Sequence, residues 1–337
     1  MTKVIVSGGT GFIAQHILNQ LIKSNNNYNV VFTSRSKEKG DKVINLFEKP
    51  KNLSYEIVED VAAPRAFDHV LQHHSDASVF LHTASPFHFK TTDPEILIKP
   101  AVEGTKNVFL AIEKYGKNIK KVVVTSSYAS IARTDKKPTD IITEKDWNTQ
   151  TTPEEIGNNP VFIYRASKSL AEQEAWSFIK NHQVNFKLST INPVFVFGPQ
   201  LFDSEVKSEL NTSSEVINKI INLKPDDKIP PFKGGWIDVR DVAKAHLLAF
   251  EKNDAEGERI ILYNGNFTDQ TILDFINSKF PKLNLPKGDP GSDKKALESV
   301  PKVDDSKSRR ILGFKYIDFD TSIDDSVKQI LKAKGEL

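Results

Sequence analysis

With 337 residues, 38% of them hydrophobic, the chain is long enough for one extended domain with a smaller satellite region and too short for several independent modules. Its 46 basic and 44 acidic residues leave a net charge of +2 without a long Lys/Arg run, which argues against nucleic-acid binding and favours a small-molecule ligand. Cysteine is absent and the eight histidines lack metal-ligand spacing, so disulfides and metal sites are not expected.

Apolar and β-branched runs typical of buried strands recur between residues 4 and 191. They are Val4-Ile5-Val6, Val30-Val31-Phe32, Leu53 to Val58, Ser78 to Leu81, Lys121 to Thr125 and Lys187 to Ile191. Three long segments between these runs have apolar residues at helical spacing and are predicted to be helices. They are Phe12 to Lys23, Asp93 to Tyr115 and Phe162 to Asn181. This alternation predicts an α/β fold, a Rossmann-type doubly wound parallel sheet.

The alternation weakens after Asn192-Pro193, where Pro- and Lys-rich stretches such as 225–233 and 281–301 appear. We therefore expect a Rossmann domain over residues 1–192. Residues 193–337 should form mainly a substrate-binding region, with some segments returning to the Rossmann domain.

The first predicted strand runs into a glycine-rich loop that opens the first predicted helix, Ser7-Gly8-Gly9-Thr10-Gly11-Phe12-Ile13-Ala14. Gly8 suits the tight turn, Gly11 lets a pyrophosphate approach the helix start, and Ala14 permits close helix packing. In this context, between a strand and a helix, the pattern predicts a dinucleotide site.

Basic residues follow the second predicted strand, where an NAD enzyme normally places an acid for the ribose 2′-hydroxyl. Arg35 and Lys39 instead suit a 2′-phosphate, which predicts NADPH/NADP+ as the cofactor. A solvated basic turn is the plainer interpretation. Asp60-Val61, after the third strand, is placed to meet the adenine, although Asp60 is equally suited to cap a helix.

Two serines and a Tyr/Lys pair supply candidate catalytic groups. Ser126 and Ser127 close the fifth strand, at the sheet edge where ligands bind. Tyr164 and Lys168 share a helix face, so an ammonium next to the phenol is expected to lower the Tyr164 pKa. The set predicts reduction of a carbonyl, with Tyr164 as proton donor and a serine as hydrogen-bond donor. The pattern does not decide between Ser126 and Ser127.

The residues resemble the short-chain dehydrogenase/reductase superfamily of extended type, with the layout of the dihydroflavonol reductase-like subfamily and of fungal NADPH-dependent methylglyoxal and 3-methylbutanal reductases. The resemblance runs the full length, and it is carried by Gly11-Phe12-Ile13-Ala14-Gln15-His16-Ile17, Leu81-His82-Thr83-Ala84-Ser85-Pro86-Phe87, Val124-Thr125-Ser126-Ser127-Tyr128-Ala129, Asn192-Pro193, Val196-Phe197-Gly198-Pro199-Gln200, Asn211-Thr212-Ser213 and Ile237 to His246. Arg165-Ala166 departs from the Cys or Ala with Gly that this family often has between the Tyr and the Lys.

The resemblance implies an NADPH-dependent oxidoreductase with Ser127, Tyr164 and Lys168 as catalytic residues. It also implies a cofactor site that comprises Gly8, Gly9, Thr10, Gly11, Phe12, Ile13, Arg35, Lys39, Asp60, Val61, Ala84, Tyr164, Lys168, Pro193, Val196 and Ser213. An apolar substrate pocket is expected from Phe87, Phe89, Tyr128, Phe162 and Phe195, although each of these aromatics is equally suited to ordinary core packing.

Two rival functions remain: a nucleotide-sugar epimerase or dehydratase, and a non-catalytic NADPH-binding redox sensor. The apolar pocket argues against the first, and the intact Tyr/Lys pair argues against the second. The start of the chain shows no charged leader and no apolar run of about 18 residues occurs, so we expect a cytoplasmic protein without a membrane segment. A monomer and a homodimer both fit the composition.

Overall fold

A computed structural model describes residues 1–85, 91–208 and 210–337. The strands in these ranges are β1 (Lys3–Ser7), β2 (Asn29–Ser34), β3 (Leu53–Ile57), β4 (Val79–His82), β5 (Lys121–Thr125), β6 (Ile141–Ile142), β7 (Lys187–Pro193), β8 (Phe195–Phe197), β9 (Lys233–Asp238), β10 (Arg259–Leu262), β11 (Asn266–Thr268) and β12 (Lys302–Val303). The helices are α1 (Phe12–Lys23), α2 (Lys37–Leu46), α3 (Asp68–His73), α4 (Glu95–Tyr115), α5 (Pro153–Ile156), α6 (Pro160–Asn181), α7 (Thr212–Ile221), α8 (Val239–Glu251), α9 (Asp269–Lys279), α10 (Ser292–Leu297), α11 (Ser306–Leu312) and α12 (Phe319–Lys334).

Seven strands form the main sheet in the order β10-β7-β5-β4-β1-β2-β3. Every neighbouring pair in it is parallel. The order reverses between β1 and β4, which creates a crevice at the carboxyl ends of these strands. The predicted fold class, a Rossmann-type parallel α/β sheet, is confirmed.

Strand β1 shows how the sequence covers both faces of this sheet. Val4 and Val6 pack into the apolar cluster that contains Ile17 and Leu18 of α1 and much of α8. Ile5, between them, packs on the opposite side with residues of α3, α4 and α6. Because side chains alternate along a strand, a run of apolar residues requires helices on both faces.

The chain after β7 contributes to two layers. Strand β10 returns to the main sheet and pairs with β7, and α8 packs on α1. Strands β8, β9 and β11 form a small separate sheet beside an apolar cluster made largely by α7, α9 and α12. The functional division at residue 192 stays a prediction.

Helix α6, which carries Tyr164 and Lys168, begins two residues before the predicted Phe162. Asn159 caps it by accepting hydrogen bonds from the backbone N–H groups of Val161 (2.9 Å) and Phe162 (3.4 Å), and Pro160 occupies the first turn.

Helix α4 begins at Glu95, two residues later than predicted. The stretch 281–301, predicted as irregular, contains the short helix α10. In the described ranges, no helix is long and apolar enough to cross a membrane.

Candidate active site

The glycine-rich loop between β1 and α1 is packed too tightly for side chains. Gly8 has a φ of +73°, and a Cβ placed there would lie 3.0 Å from Ala84. A Cβ on Gly9 would lie 2.5 Å from the ring of Phe32. The backbone N–H of Gly9 donates to the Thr33 carbonyl at 3.0 Å. Packing against Ala84 and Phe32 therefore requires glycine at both positions of the loop.

The start of α1 provides a site suited to an anion. Gly11 is the N-cap residue and offers no side-chain hydrogen bond, and the first turn contains no acidic residue. The N–H groups at the start of a helix lack intrahelical acceptors and carry the positive end of the helix dipole. A pyrophosphate fits this arrangement without competing carboxylates.

A buried pair under the loop joins β1 to β4. The Ser7 hydroxyl lies 2.8 Å from Nδ1 of His82 and accepts hydrogen bonds from the backbone N–H groups of Thr83 (3.0 Å) and Ala84 (3.1 Å). Burial and, to a lesser extent, the nearby Lys168 charge lower the pKa of His82 to about 3, so the ring is neutral. Ser7 was not among the predicted site residues, because it meets its partners only through strand pairing.

Arg35 and Lys39 follow β2, and both are exposed. Neither forms an ion pair with a carboxylate in the part of the chain that the structure describes. The loop approaches them through Thr33, whose hydroxyl accepts from the Gly8 N–H at 3.0 Å. These two cations are therefore free to bind an anionic group at the end of β2.

Asp60 and Val61 follow β3. Asp60 is exposed, and its Oδ1 accepts from the Ala62 N–H at 2.9 Å, so it closes a local turn. The Val61 carbonyl accepts from Asn107 of α4 at 3.0 Å. This pair lies at the same sheet edge as Arg35, because β2 and β3 are parallel. Its role at the adenine stays a prediction.

The two adjacent serines have different environments. The Ser127 hydroxyl lies 3.4 Å from the phenol oxygen of Tyr164, and it caps a 3-10 turn by accepting from the Ala129 N–H at 3.1 Å. The Ser126 hydroxyl instead donates to the buried carboxylate of Glu172 at 2.5 Å. The geometry therefore favours Ser127 as the partner of Tyr164, a choice that the sequence pattern left open.

The titration behaviour of the Tyr/Lys pair differs from the expectation. Burial raises the pKa of Tyr164, and the hydrogen bond with Ser127 and the charge of Arg165 offset only part of this rise. The predicted net lowering is therefore wrong for this structure, because the cost of burying a phenolate exceeds the nearby stabilising contributions. Burial also lowers the pKa of Lys168 to about 8, against an opposing contribution from Glu172.

Three further predicted cofactor residues lie at the end of β7 or after it. Pro193 ends that strand, and it is paired with Leu262 of β10. The Val196 N–H of β8 donates to the hydroxyl of Ser213 at 3.3 Å, which brings together two predicted residues from separate elements.

The predicted pocket aromatics that the structure describes lie on three different elements. Phe87 and Phe89 lie outside the described residues. Tyr128 opens the 3-10 turn after Ser127, and burial raises its pKa. Phe162 lies in the first turn of α6, and Phe195 contacts the ring of Phe232 edge-on with centroids 5.2 Å apart. Their place in a substrate pocket stays a prediction.

Comparison with known proteins gives a family match over most of the chain. Residues 4–264 match the model of the NAD dependent epimerase/dehydratase family. A putative NADPH-dependent methylglyoxal reductase of Candida albicans is 50% identical over 98% of this chain and 98% of its own length.

Two solved structures resemble the chain throughout. The crystal structure of Gre2 from Candida albicans in complex with NADPH superposes with a TM-score of 0.95 at 57% identity, covering 99% of each chain. The yeast methylglyoxal/isovaleraldehyde reductase Gre2, complexed with NADPH, gives a TM-score of 0.95 at 43% identity over 100% of both chains.

Proposed function

The chain belongs to the NAD dependent epimerase/dehydratase family, and from that premise we propose that it is an NADPH-dependent reductase that converts aldehydes, 2-oxoaldehydes and ketones to alcohols. The observation that carries this proposal is the 3.4 Å approach of the Ser127 hydroxyl and the Tyr164 phenol. Both groups lie at the carboxyl edge of the sheet that also bears the glycine-rich loop. The names of the similar proteins, which are NADPH-dependent methylglyoxal reductases, support the same reaction class.

NADPH fits the cofactor site better than NADH. The loop at Gly8 and Gly9 packs closely on Ala84 and Phe32 at the end of β1, while Arg35 and Lys39 provide exposed positive charge where β2 ends. A 2′-phosphate would gain charge-assisted hydrogen bonds there, whereas the ribose hydroxyl of NADH would meet Arg35, and not an acid, directly after β2.

The catalytic roles follow from the protonation states. When bound, NADPH supplies the hydride for the carbonyl carbon. Ser127 and Tyr164 donate hydrogen bonds to the carbonyl oxygen, which becomes more negative as the reaction proceeds. The raised pKa of Tyr164 keeps its phenol protonated at neutral pH, so that it is ready to donate its proton to that oxygen.

Lys168 contributes positive charge one helical turn beyond Tyr164. Its pKa of about 8 leaves the ammonium mostly protonated at neutral pH. We assign it two roles: it stabilises the phenolate left after proton transfer, and it donates hydrogen bonds to the nicotinamide ribose. Both roles require the charged form of the side chain.

The test is consumption of NADPH, and separately of NADH, by the purified protein with methylglyoxal, 3-methylbutanal and an aryl ketone. We expect oxidation of NADPH with at least one of these carbonyls and a much slower reaction with NADH. Tight binding of NADPH without reduction of any carbonyl would contradict the proposal. Assays with nucleotide-sugar substrates and NAD+ would then distinguish an epimerase from a redox sensor.

A further inference from the structure

Glu172 occupies the position one helical turn beyond Lys168 on α6, and only 1% of its surface is exposed. Among the described residues, six donor groups lie within hydrogen-bond distance of its carboxylate: Ser126, Ser130 and Asn192 at Oε2, and Arg259, Thr190 and Trp176 at Oε1. Burying a carboxylate is costly unless it is paired and hydrogen-bonded. These donors, from α6 and several elements around it, supply the hydrogen bonds that a buried carboxylate requires.

One oxygen of Glu172 is connected to the turn that carries Ser127. Oε2 lies 2.5 Å from the Ser130 hydroxyl, whose single proton is donated either to this carboxylate or to the Ser127 carbonyl, 2.6 Å away. Asn192 bridges the same groups, because its amide nitrogen lies 2.7 Å from Oε2 and 3.2 Å from that carbonyl. The carboxylate thus fixes the backbone from which the Ser127 hydroxyl reaches Tyr164.

The other oxygen is connected to β10 at the edge of the sheet. Arg259 donates from Nε to Oε1 at 2.6 Å, and its Nη1 donates to the carbonyls of Glu144 (2.8 Å) and Asp146 (2.5 Å). Its guanidinium also lies 3.7 Å from the ring centroid of Trp147. Since the strand register places Arg259 beside Thr190, the sheet itself holds the cation against the carboxylate.

The ionised state of Glu172 is supported by the same contacts. Burial opposes ionisation, but the charge and hydrogen bond of Arg259 together with the serine donors outweigh it, so the pKa of Glu172 is lowered. A permanent negative charge therefore lies one turn from the Lys168 ammonium.

Little water separates this charge from Lys168. A cavity of about 10 Å³ is lined by Lys168, Glu172 and His82 among others, which is space for about one water molecule. In the described ranges, the titratable groups with a charge interaction with Lys168 are His82 of β4, which is neutral, and Glu172 on its own helix. Arg259 faces the carboxylate from β10. Glu172 is thus the anion that favours the charged form of Lys168.

We propose that Glu172 is a positioning residue for carbonyl reduction, whose carboxylate holds the Ser127 turn in place and keeps the Lys168 ammonium charged. The inference rests on the proposed function and adds a residue that does not touch the substrate. A purely stabilising role is the alternative, although buried ion pairs are often replaceable by apolar residues without loss of stability.

The experiment compares wild-type protein with Glu172→Gln and Glu172→Asp. For each, kcat/KM for 3-methylbutanal and the Kd of NADPH, measured by protein fluorescence, are followed from pH 6 to pH 10. Removing the negative charge lowers the Lys168 pKa, so in Glu172→Gln the high-pH loss of both quantities should move down by about one pH unit. Glu172→Asp keeps the charge but shortens the side chain, so kcat should fall while the high-pH limb stays near its wild-type position.

Thr190→Val is the matched control for charge, because it removes a neutral hydroxyl that lies 3.2 Å from Oε1 and 2.9 Å from Oδ1 of Asn192 without changing the net charge. We expect an unshifted pH profile in this variant. A fall in kcat for Glu172→Gln with an unmoved high-pH limb would overturn the inference and leave a structural role. If Glu172→Gln lacks a cooperative melting transition, Glu172→Asp decides, since a large downward shift of its limb would also contradict the proposal.

The proposed function can fail separately from this inference. Absence of carbonyl reduction in wild-type protein would refute the reductase assignment. The pH dependence of the NADPH Kd in the same variants would still show whether Glu172 sets the charge of Lys168.

Discussion

The glycine-rich loop and the Ser127 turn lie at the same edge of one sheet, yet they are held in place by different interactions. The loop depends on backbone geometry: a left-handed Gly8, a close approach to Ala84 and hydrogen bonds to the neighbouring strand. The turn depends on side chains from distant segments, which meet at the buried carboxylate of Glu172. The glycines that the loop needs lie in one short stretch of sequence. The side chains that hold the turn meet only in the folded chain.

The largest effect expected within the turn separates its two serines, Ser126 and Ser127. Ser127→Ala should reduce kcat by roughly 10²–10³-fold, since it removes a donor to the developing oxyanion. Steady-state kinetics with NADPH and 3-methylbutanal at pH 7 measure this loss.

Ser126→Ala is the matched control for that prediction. Its hydroxyl bonds to Glu172 rather than to Tyr164, so kcat should change less, while the free energy of unfolding falls by about 1–3 kcal/mol as the carboxylate loses a donor. Equal losses of kcat in both variants would show that the turn, and not the Ser127 hydroxyl, is what the reaction needs.

A smaller effect, on cofactor preference, is expected from a change at Arg35. Arg35→Asp should shift the ratio of NADPH to NADH affinity by roughly 10–100-fold toward NADH, because charge-assisted hydrogen bonds to a phosphate are replaced by repulsion. Fluorescence titration with each cofactor measures both Kd values. Lys51→Asp introduces the same change of charge at an exposed position just before β3 and should leave the ratio unchanged. An unchanged ratio in Arg35→Asp would place the phosphate elsewhere.

The smallest expected effect concerns acid stability under the loop. The pKa of His82 is about 3 in the folded chain, below the ordinary value of 6.5, so the unfolded state binds the extra proton. His82 thus supports folding fully above pH 6.5, and this contribution is lost as the pH falls toward 3, at up to about 1.4 kcal/mol per pH unit.

Thermal melting from pH 7.5 to pH 4.5 tests this dependence. The Tm of the wild-type protein should fall with acidity, and His82→Gln should show a shallower dependence even if its Tm is lower at pH 7.5. His73→Gln, at an exposed position, should keep the wild-type slope. A steep wild-type slope that persists in His82→Gln would assign the acid sensitivity to other groups.

Features that depend on residues close together in the chain could be predicted from the sequence, whereas contacts between distant segments could not. The strands, the glycine-rich loop and the Tyr164/Lys168 spacing could be predicted because each depends on residues close together in the chain. The family resemblance predicted from these motifs is confirmed by the match over residues 4–264. The pairing of Ser7 with His82 could not be predicted, because it arises only when β1 and β4 lie side by side.

The pKa of Tyr164 illustrates a second limit. Spacing on a helix indicates which charge lies near the phenol, but it does not indicate how deeply the phenol is buried. Burial is the larger contribution and reverses the predicted direction. Likewise, the choice between Ser126 and Ser127 required the position of Glu172, which the sequence pattern does not give.

The most direct test of the reductase assignment is a comparison of Tyr164→Phe with the wild-type protein, in which NADPH affinity and single-turnover reduction of 3-methylbutanal are measured on the same samples. Loss of the phenol hydroxyl should slow the chemical step by roughly 10²–10⁴-fold. The Kd of NADPH should stay within about threefold, because the loop and Arg35 are untouched. Turnover at the wild-type rate in Tyr164→Phe would contradict the assignment of Tyr164 as the proton donor.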